Sequence, residues 1–140
     1  MGSRRKGREY ALQLLFRSEF SDPGDSEELI WESREVDSDT RDFARFLHDR
    51  YVENETEIDQ LIRKHASNWK LERMATVDRN ILRMAIAEFL FSETPRVVVI
   101  DEAIEVARKY SGDEATQFVN GILDSIHKDL KAEGEGQSDG

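Results

Sequence analysis

Residues 76–92 read TVDRNILRMAIAEFLFS, and this stretch decides the fold. On a helical wheel its apolar side chains cover nearly the whole circumference and leave only a narrow polar stripe. A helix of this kind must be surrounded by other elements, so we expect it at the centre of the protein. Thr76 is placed to cap its first turn, and Pro95 predicts its end. Glu88 falls inside the apolar sector, so it should have a cationic or backbone partner or be protonated.

Helical periodicity continues on both sides of this central stretch. Apolar residues recur at helical spacing from Arg8 onwards, in 26–39, from Thr40 with a break within 53–57, in 96–112 and from about Thr116 to Lys131. The run from Val97 to Ile100 has a strand-like composition, but the spacing after it favours a helix. The sequence therefore predicts an all-α fold, a compact bundle of about seven helices.

Gly121 interrupts the last predicted helix. A glycine at such a position lowers helix stability by about 1 kcal/mol relative to alanine. It usually admits a close neighbour, so we expect a crossing helix or a ligand beside it.

Length and composition indicate a single domain. With 140 residues and no cysteine, the chain can bury a core but cannot form disulfides or thiolate metal sites. It has no apolar run near the ~20 residues that cross a bilayer and no signal peptide, so we expect a cytoplasmic protein without a membrane segment. We predict a flexible basic arm at 1–7, a helical domain at 8–131 and a disordered tail at 132–140.

Charge is distributed unevenly along the chain. Residues 1–17 carry five basic side chains against Glu9 alone, a net +4 in a protein of net charge −10. A basic arm on an acidic body suggests a localised anionic partner, because the rest of the surface repels nucleic acid.

Two phenylalanines, Phe16 and Phe20, lie among polar residues on one face of the first predicted helix. One explanation is that both faces of this helix are covered by neighbours. The other is that Phe16 offers a stacking surface for unpaired bases beside the basic arm, with Gln13 as a candidate for contacts to the bases.

Catalytic and metal-binding motifs are not apparent in the sequence. His48, His65 and His127 lie on separate predicted helices without a tight metal spacing, and there is no P-loop or G-x-S-x-G. Paired carboxylates such as Asp101 and Glu105 are far more often solvated surface than an acid/base couple. We therefore expect a protein that is not an enzyme and that uses no cofactor or metal.

Three segments together resemble the NusB family of transcription antitermination factors. They are RRKGREYALQLLF at 4–16, VDRNILRMAIAEFLF at 77–91 and PRVVVIDEAIEVARKYSGDEATQFVNGILD at 95–124. The resemblance spans about residues 4–130, and the order and spacing of the segments also agree. It implies an all-α fold of two small helical subdomains and a role without catalysis. It also implies pairing with NusE, a small-subunit ribosomal protein, and binding of single-stranded boxA RNA from ribosomal RNA leader transcripts within the RNA polymerase antitermination complex.

The resemblance also implies which residues meet the RNA. Residues of the basic arm would contact phosphates and become ordered on binding, which makes affinity fall steeply with salt. These residues are Arg4, Arg5, Lys6 and Arg8.

Further candidates come from positions that match the family's motifs. Phe16 and Phe118 stand where the family has RNA-proximal aromatic residues, although Phe118 also begins the apolar stripe of the last helix and could be a core residue. Glu114 stands where relatives can have an aspartate that modulates RNA affinity, and Asp78 matches an acidic residue of the RNA and partner surface. Residues 116–117 are Thr-Gln where a familiar member has His-Lys, so RNA affinity is expected to lean more on the partner.

Two other functions fit parts of the sequence. NusB-like domains also form the RNA-binding front of a ribosomal RNA methyltransferase, but no methyltransferase domain follows Leu130 here. A helical adaptor or homodimer that binds only proteins is the alternative from another class, and in that case the basic arm would be incidental.

Overall fold

The computed structural model describes residues 2–20, 36–66 and 70–138, and within these ranges it is all-α. This confirms the predicted fold class. The predicted helix at 26–39 lies largely outside the described residues. The described elements are α1 (Gly2–Phe20), α2 (Ser38–Glu53), α3 (Glu55–His65), a 3₁₀ turn (Leu71–Arg73), α4 (Thr76–Phe91), α5 (Arg96–Tyr110) and α6 (Asp113–Ser138).

Helix α4 is the centre of the fold, as its apolar circumference predicts. It contacts each of the other five described α-helices, while the α1–α2 and α5–α6 pairs form the two most extensive interfaces. One continuous apolar core joins both pairs to α4. The predicted cap is wrong, because Ala75 occupies the N-cap position without a side-chain bond and Thr76 is already helical.

Glu88 lies in the core with 1% of its surface exposed, and its partner is Arg8. The Arg8 guanidinium donates through Nε to Glu88 Oε1 at 2.8 Å and through Nη2 to Oε2 at 2.6 Å. The expected cationic partner is therefore present. This bidentate pair fixes α1 on α4, because each ion would be costly to bury without the other.

The polar stripe of α4 forms a second network, which joins α4 to three other helices. Arg79 donates two hydrogen bonds to Glu19 of α1, both at 2.8 Å. Arg83 donates to Glu19 Oε1 at 2.7 Å and to both carboxylate oxygens of Asp59 in α3. Tyr51 of α2 also donates to Asp59, at 3.0 Å. Burial raises the pKa of Tyr51, so its hydroxyl remains a donor.

Both ends of the fold differ from the predicted boundaries. Helix α1 begins at Gly2, so residues 2–7 are helical where the sequence suggests a flexible arm, and α6 continues to Ser138 instead of ending near residue 131. Helix extension past a packed segment needs little tertiary support, because each added residue contributes one backbone hydrogen bond. None of the helices in the described ranges is long and apolar enough to span a membrane.

Gly7 and Gly121 have opposite surroundings. A Cβ atom on Gly7 would lie 2.8 Å from Phe43 Cδ2 and 3.3 Å from the Thr40 carbonyl oxygen, so α1 approaches α2 closely at this point. Around Gly121 a Cβ would meet nothing within 4 Å. No crossing helix in the described part of the chain therefore lies beside Gly121, whereas Gly7 marks a close approach that the sequence did not reveal.

We expect the two Gly→Ala substitutions to shift stability in opposite directions. Gly7→Ala should lower the free energy of unfolding by about 1–2 kcal/mol, because overpacking against buried Phe43 outweighs the gain in helix propensity. Gly121→Ala should raise it by about 0.5–1 kcal/mol. Urea unfolding of both variants checks this, and equal shifts of the same sign would contradict the described α1–α2 packing.

Candidate nucleic-acid interface

Two neighbouring grooves open where α1, α4, α5 and α6 meet. The small groove, of about 240 Å³, is lined by Leu12, Gln13, Phe16, Arg17, Val77 and Tyr110. The large groove, of about 370 Å³, is lined by Arg73, Met74, Ala75, Asp78, Ser111, Glu114, Ala115 and Phe118. Five candidates from the sequence, namely Gln13, Phe16, Asp78, Glu114 and Phe118, thus come together on one surface.

The two grooves share a wall. Val77 and Asp78 are consecutive at the start of α4, and Tyr110 and Ser111 are consecutive at the end of α5, with one member of each pair in each groove. Ser111 Oγ donates a hydrogen bond to Asp78 Oδ1 at 2.6 Å, and this bond links the end of α5 to the start of α4 within the shared wall. A ligand that follows the surface can therefore occupy both grooves.

The connection from α5 to α6 positions the large groove. Gly112 has φ +105°, in the left-handed region that glycine adopts without strain. The chain turns sharply there, and its amide donates to the Ala107 carbonyl at 3.0 Å. Helix α6 consequently starts at Asp113, and its first two turns carry Glu114 and Phe118 into the groove.

The two aromatic candidates differ in exposure. Phe16 is 40% exposed, so the face of α1 that carries it is not fully covered by the described neighbours. Phe118 is partly buried and packs against the core, yet it also lines the large groove. Phe118 therefore both packs against the core and lines the large groove.

The basic side chains of the arm are either exposed on the protein surface or buried. The Arg4 guanidinium carbon lies 4.2 Å from the centre of the Phe43 ring, and Lys6 is exposed. Arg5 is exposed and donates to both carboxylate oxygens of Glu102 in α5, each at 3.2 Å. A phosphate that binds Arg5 must compete with this carboxylate.

Arg8 does not fit its predicted role as a phosphate contact. Only 4% of its surface is exposed, and its guanidinium is held by the buried Glu88 carboxylate. An RNA strand cannot reach it without opening the core. Arg8 therefore belongs to the core, and the accessible arm charges are Arg4, Arg5 and Lys6.

A polar seam between α1 and α5 connects the arm to the small groove. Arg5 meets Glu102 at one end, and Lys109 Nζ lies 2.6 Å from Glu9 Oε1 further along. The next residue on α5, Tyr110, lines the small groove. Arg5 and Phe16 are 11 residues apart on nearly the same side of α1, about 16 Å along the helix axis. This distance is within reach of a few nucleotides of extended single strand.

Four groove residues could not be identified as candidates from the sequence alone. Arg17, Tyr110, Arg73 and Ser111 belong to ordinary helical patterns or short connections, and only the fold brings them to the grooves. What these four residues share in the sequence is a position at or near the end of a helix or turn. In the described part of the chain, no group of three or more His, Cys, Asp and Glu side chains could hold a metal ion.

Comparisons with known proteins agree with this architecture. The NusB family model matches residues 5–128. The transcription antitermination protein NusB of Koribacter versatilis is 47% identical over 136 residues, covering 94% of this chain and 93% of that protein. The NusB of Salinibacter ruber is 42% identical over 139 residues, covering 96% and 86%.

Solved structures give the same result. A chain of the crystal structure of antitermination factors NusB and NusE in complex with dsRNA superimposes with a TM-score of 0.80 at 32% identity, covering 91% of this chain and 98% of that chain. The structure of T. maritima NusB gives a TM-score of 0.78 at 40% identity, covering 89% of this chain and 90% of that chain. The match to the family model over nearly the whole length, together with relatives above 40% identity, shows that this chain belongs to the NusB family.

Proposed function

We propose that this protein is an RNA-binding transcription antitermination factor of the cytoplasm. It binds NusE, and the pair recognises single-stranded boxA RNA of ribosomal RNA leader transcripts as part of the RNA polymerase antitermination complex. The observation that carries this proposal is the surface on which the arm, the α1–α5 seam and the two grooves follow one another. The structural neighbour in which NusB and NusE are in complex with dsRNA supports the pairing with NusE and the binding of RNA.

The side chains on this surface suit a single strand of RNA better than a duplex, whose outer surface carries the phosphates of both strands. The exposed basic side chains of the arm lie at one end, while the large groove combines the carboxylates of Asp78 and Glu114 with the exposed Arg73. Carboxylates repel phosphates but accept hydrogen bonds from the amino groups of bases. A strand whose bases face the grooves satisfies both conditions, and sequence-specific RNA recognition typically uses such unpaired bases.

The test is a titration of fluorescently labelled boxA RNA and a scrambled RNA of equal composition, with and without NusE, at moderate salt. We expect the pair of proteins to prefer boxA and to bind it more tightly than this chain alone. Equal affinity for both RNAs would refute the proposal. Pull-down from ribonuclease-treated lysate separates it from the alternative, because a helical adaptor or homodimer would have no RNA-dependent partners.

The arm should account for much of the salt dependence. Combined replacement of Arg4, Arg5 and Lys6 by alanine removes up to three phosphate contacts, so the slope of log K against log salt should shrink by about 2. A triple alanine variant at Lys64, Lys128 and Lys131 of α3 and α6 changes the net charge equally and should leave the slope nearly unchanged. Equal slopes in all three proteins would exclude a role for the arm.

A further inference from the structure

We infer that the small groove binds one unpaired nucleobase, with Tyr110 as its second aromatic wall and Arg17 as the contact to the phosphate of that nucleotide. This inference rests on the proposed function and deepens it. Neither Tyr110 nor Arg17 is among the RNA-binding residues that the family resemblance implies. The shape of the groove, its polar rim and its position on the surface all fit one nucleotide of a single strand.

The groove presents aromatic surface from two different helices. Phe16 of α1 is 40% exposed and Tyr110, the last residue of α5, is 42% exposed. Between them lie Leu12, buried in the core, and Val77, which packs partly against it. A volume of about 240 Å³ suits one ring system rather than a length of backbone. Stacking on such rings is how proteins hold unpaired bases of any sequence.

The polar rim of the groove supplies the remaining contacts of a nucleotide. Gln13 carries a side-chain amide that can both donate to and accept from a base edge. Arg17 is the charged residue among those that line the groove, and no carboxylate lines it. The large groove, by contrast, is lined by two carboxylates, Asp78 and Glu114, against one basic residue, Arg73. The small groove is therefore the better of the two for a base that brings its own phosphate.

The position of the groove provides a path for the strand. The seam that begins at the Arg5–Glu102 pair passes Lys109, whose Nζ lies 5.3 Å from the centre of the Tyr110 ring. The wall fastened by Ser111 and Asp78 then separates the small groove from the large one. A strand held by the arm would meet the small groove before it reaches Glu114 and Phe118.

The test uses the full-length chain with NusE and a series of boxA RNAs that carry 2-aminopurine at successive positions. Stacking on an aromatic ring quenches this base, so binding should quench one position strongly. In Tyr110→Ala that quenching should be lost and the affinity should fall about 5- to 150-fold, whereas Tyr110→Phe should bind almost as the wild type does. Arg17→Gln should reduce the salt slope by about 0.7.

A matched control is Phe91→Ala, because Phe91 is also 40% exposed but lies at the other end of α4. It should bind RNA normally. If the wild type binds boxA and Tyr110→Ala binds within twofold of it with the same quenching, the inference is wrong while the proposed function stands. If the wild type itself does not distinguish boxA from scrambled RNA, the proposed function fails first. An RNA that is abasic at the quenched position should lose the difference between Tyr110→Ala and wild type, and a persisting difference would also refute the site.

Discussion

Replacing Arg8 with methionine is expected to lower the free energy of unfolding by about 3–5 kcal/mol. The substitution leaves the Glu88 carboxylate in the core with 1% of its surface exposed and without the two bonds of 2.6 and 2.8 Å that compensate its charge. Urea unfolding monitored by circular dichroism measures the change. A loss below about 1 kcal/mol would contradict the view that the buried Glu88 depends on Arg8.

The control for this result lies three residues earlier. Arg5 makes a similar two-bond contact with Glu102, but its side chain is 60% exposed, so Arg5→Met should change stability little. The double variant Arg8→Met, Glu88→Met should recover much of what Arg8→Met loses, because a well-packed apolar pair often replaces a buried ion pair without net loss. A double variant less stable than Arg8→Met would contradict this account.

Arg83→Met is expected to lower the free energy of unfolding by about 2–4 kcal/mol at pH 7, because it removes hydrogen bonds to two carboxylates that are largely buried. These are Glu19 Oε1 at 2.7 Å and the oxygens of Asp59 at 3.0 and 3.1 Å. Arg63→Met is the control, because Arg63 pairs with Glu72 on the exposed surface. It should leave stability nearly unchanged.

The effect of Arg83→Met should also depend on pH. Burial raises the pKa of Glu19, but hydrogen bonds from Arg79 and Arg83 outweigh burial and hold this pKa below its usual value of 4.5. A carboxyl with a lowered pKa stabilises the fold above its unfolded pKa, and this contribution is lost as the pH falls through the folded value. The difference between wild type and Arg83→Met should therefore narrow when unfolding is measured at pH 4 and then pH 3. A gap that widens would exclude Glu19 as the source.

The core of the fold could be predicted from the sequence because apolar periodicity in α4 is strong and local. The same periodicity requires a partner for Glu88, but it does not identify Arg8, which lies 80 residues away. The basic run at the start of α1 does not indicate which of its side chains is buried either. In the sequence, Arg8 therefore cannot be distinguished from its neighbours Arg5 and Lys6. Helical spacing places Arg8 on a different side of α1, since Arg8 faces α4 whereas Arg5 and Lys6 are exposed.

The candidate site could be predicted only in part, for a similar reason. Phe16 is a candidate because it breaks the polar pattern of one face of α1, Gln13 because it lies beside Phe16 on that face, and Asp78, Glu114 and Phe118 because of the family resemblance. Tyr110 and Arg17 break no pattern, so their role depends on α1 and the end of α5 meeting at the start of α4. The interruption of the helical pattern at Gly121 did not indicate a crossing helix either, because no described residue lies within 4 Å of a Cβ atom at this position.

The pairing of Arg8 with Glu88 also bears on how the chain is made. Translation produces α1 first, and α2 can associate with it as soon as both have left the ribosome. The carboxylate that balances Arg8 is then still missing, because nearly two thirds of the 140 residues must be synthesised before Glu88 exists. The nascent α1–α2 hairpin must therefore keep this guanidinium in water, and final docking waits for the arrival of α4.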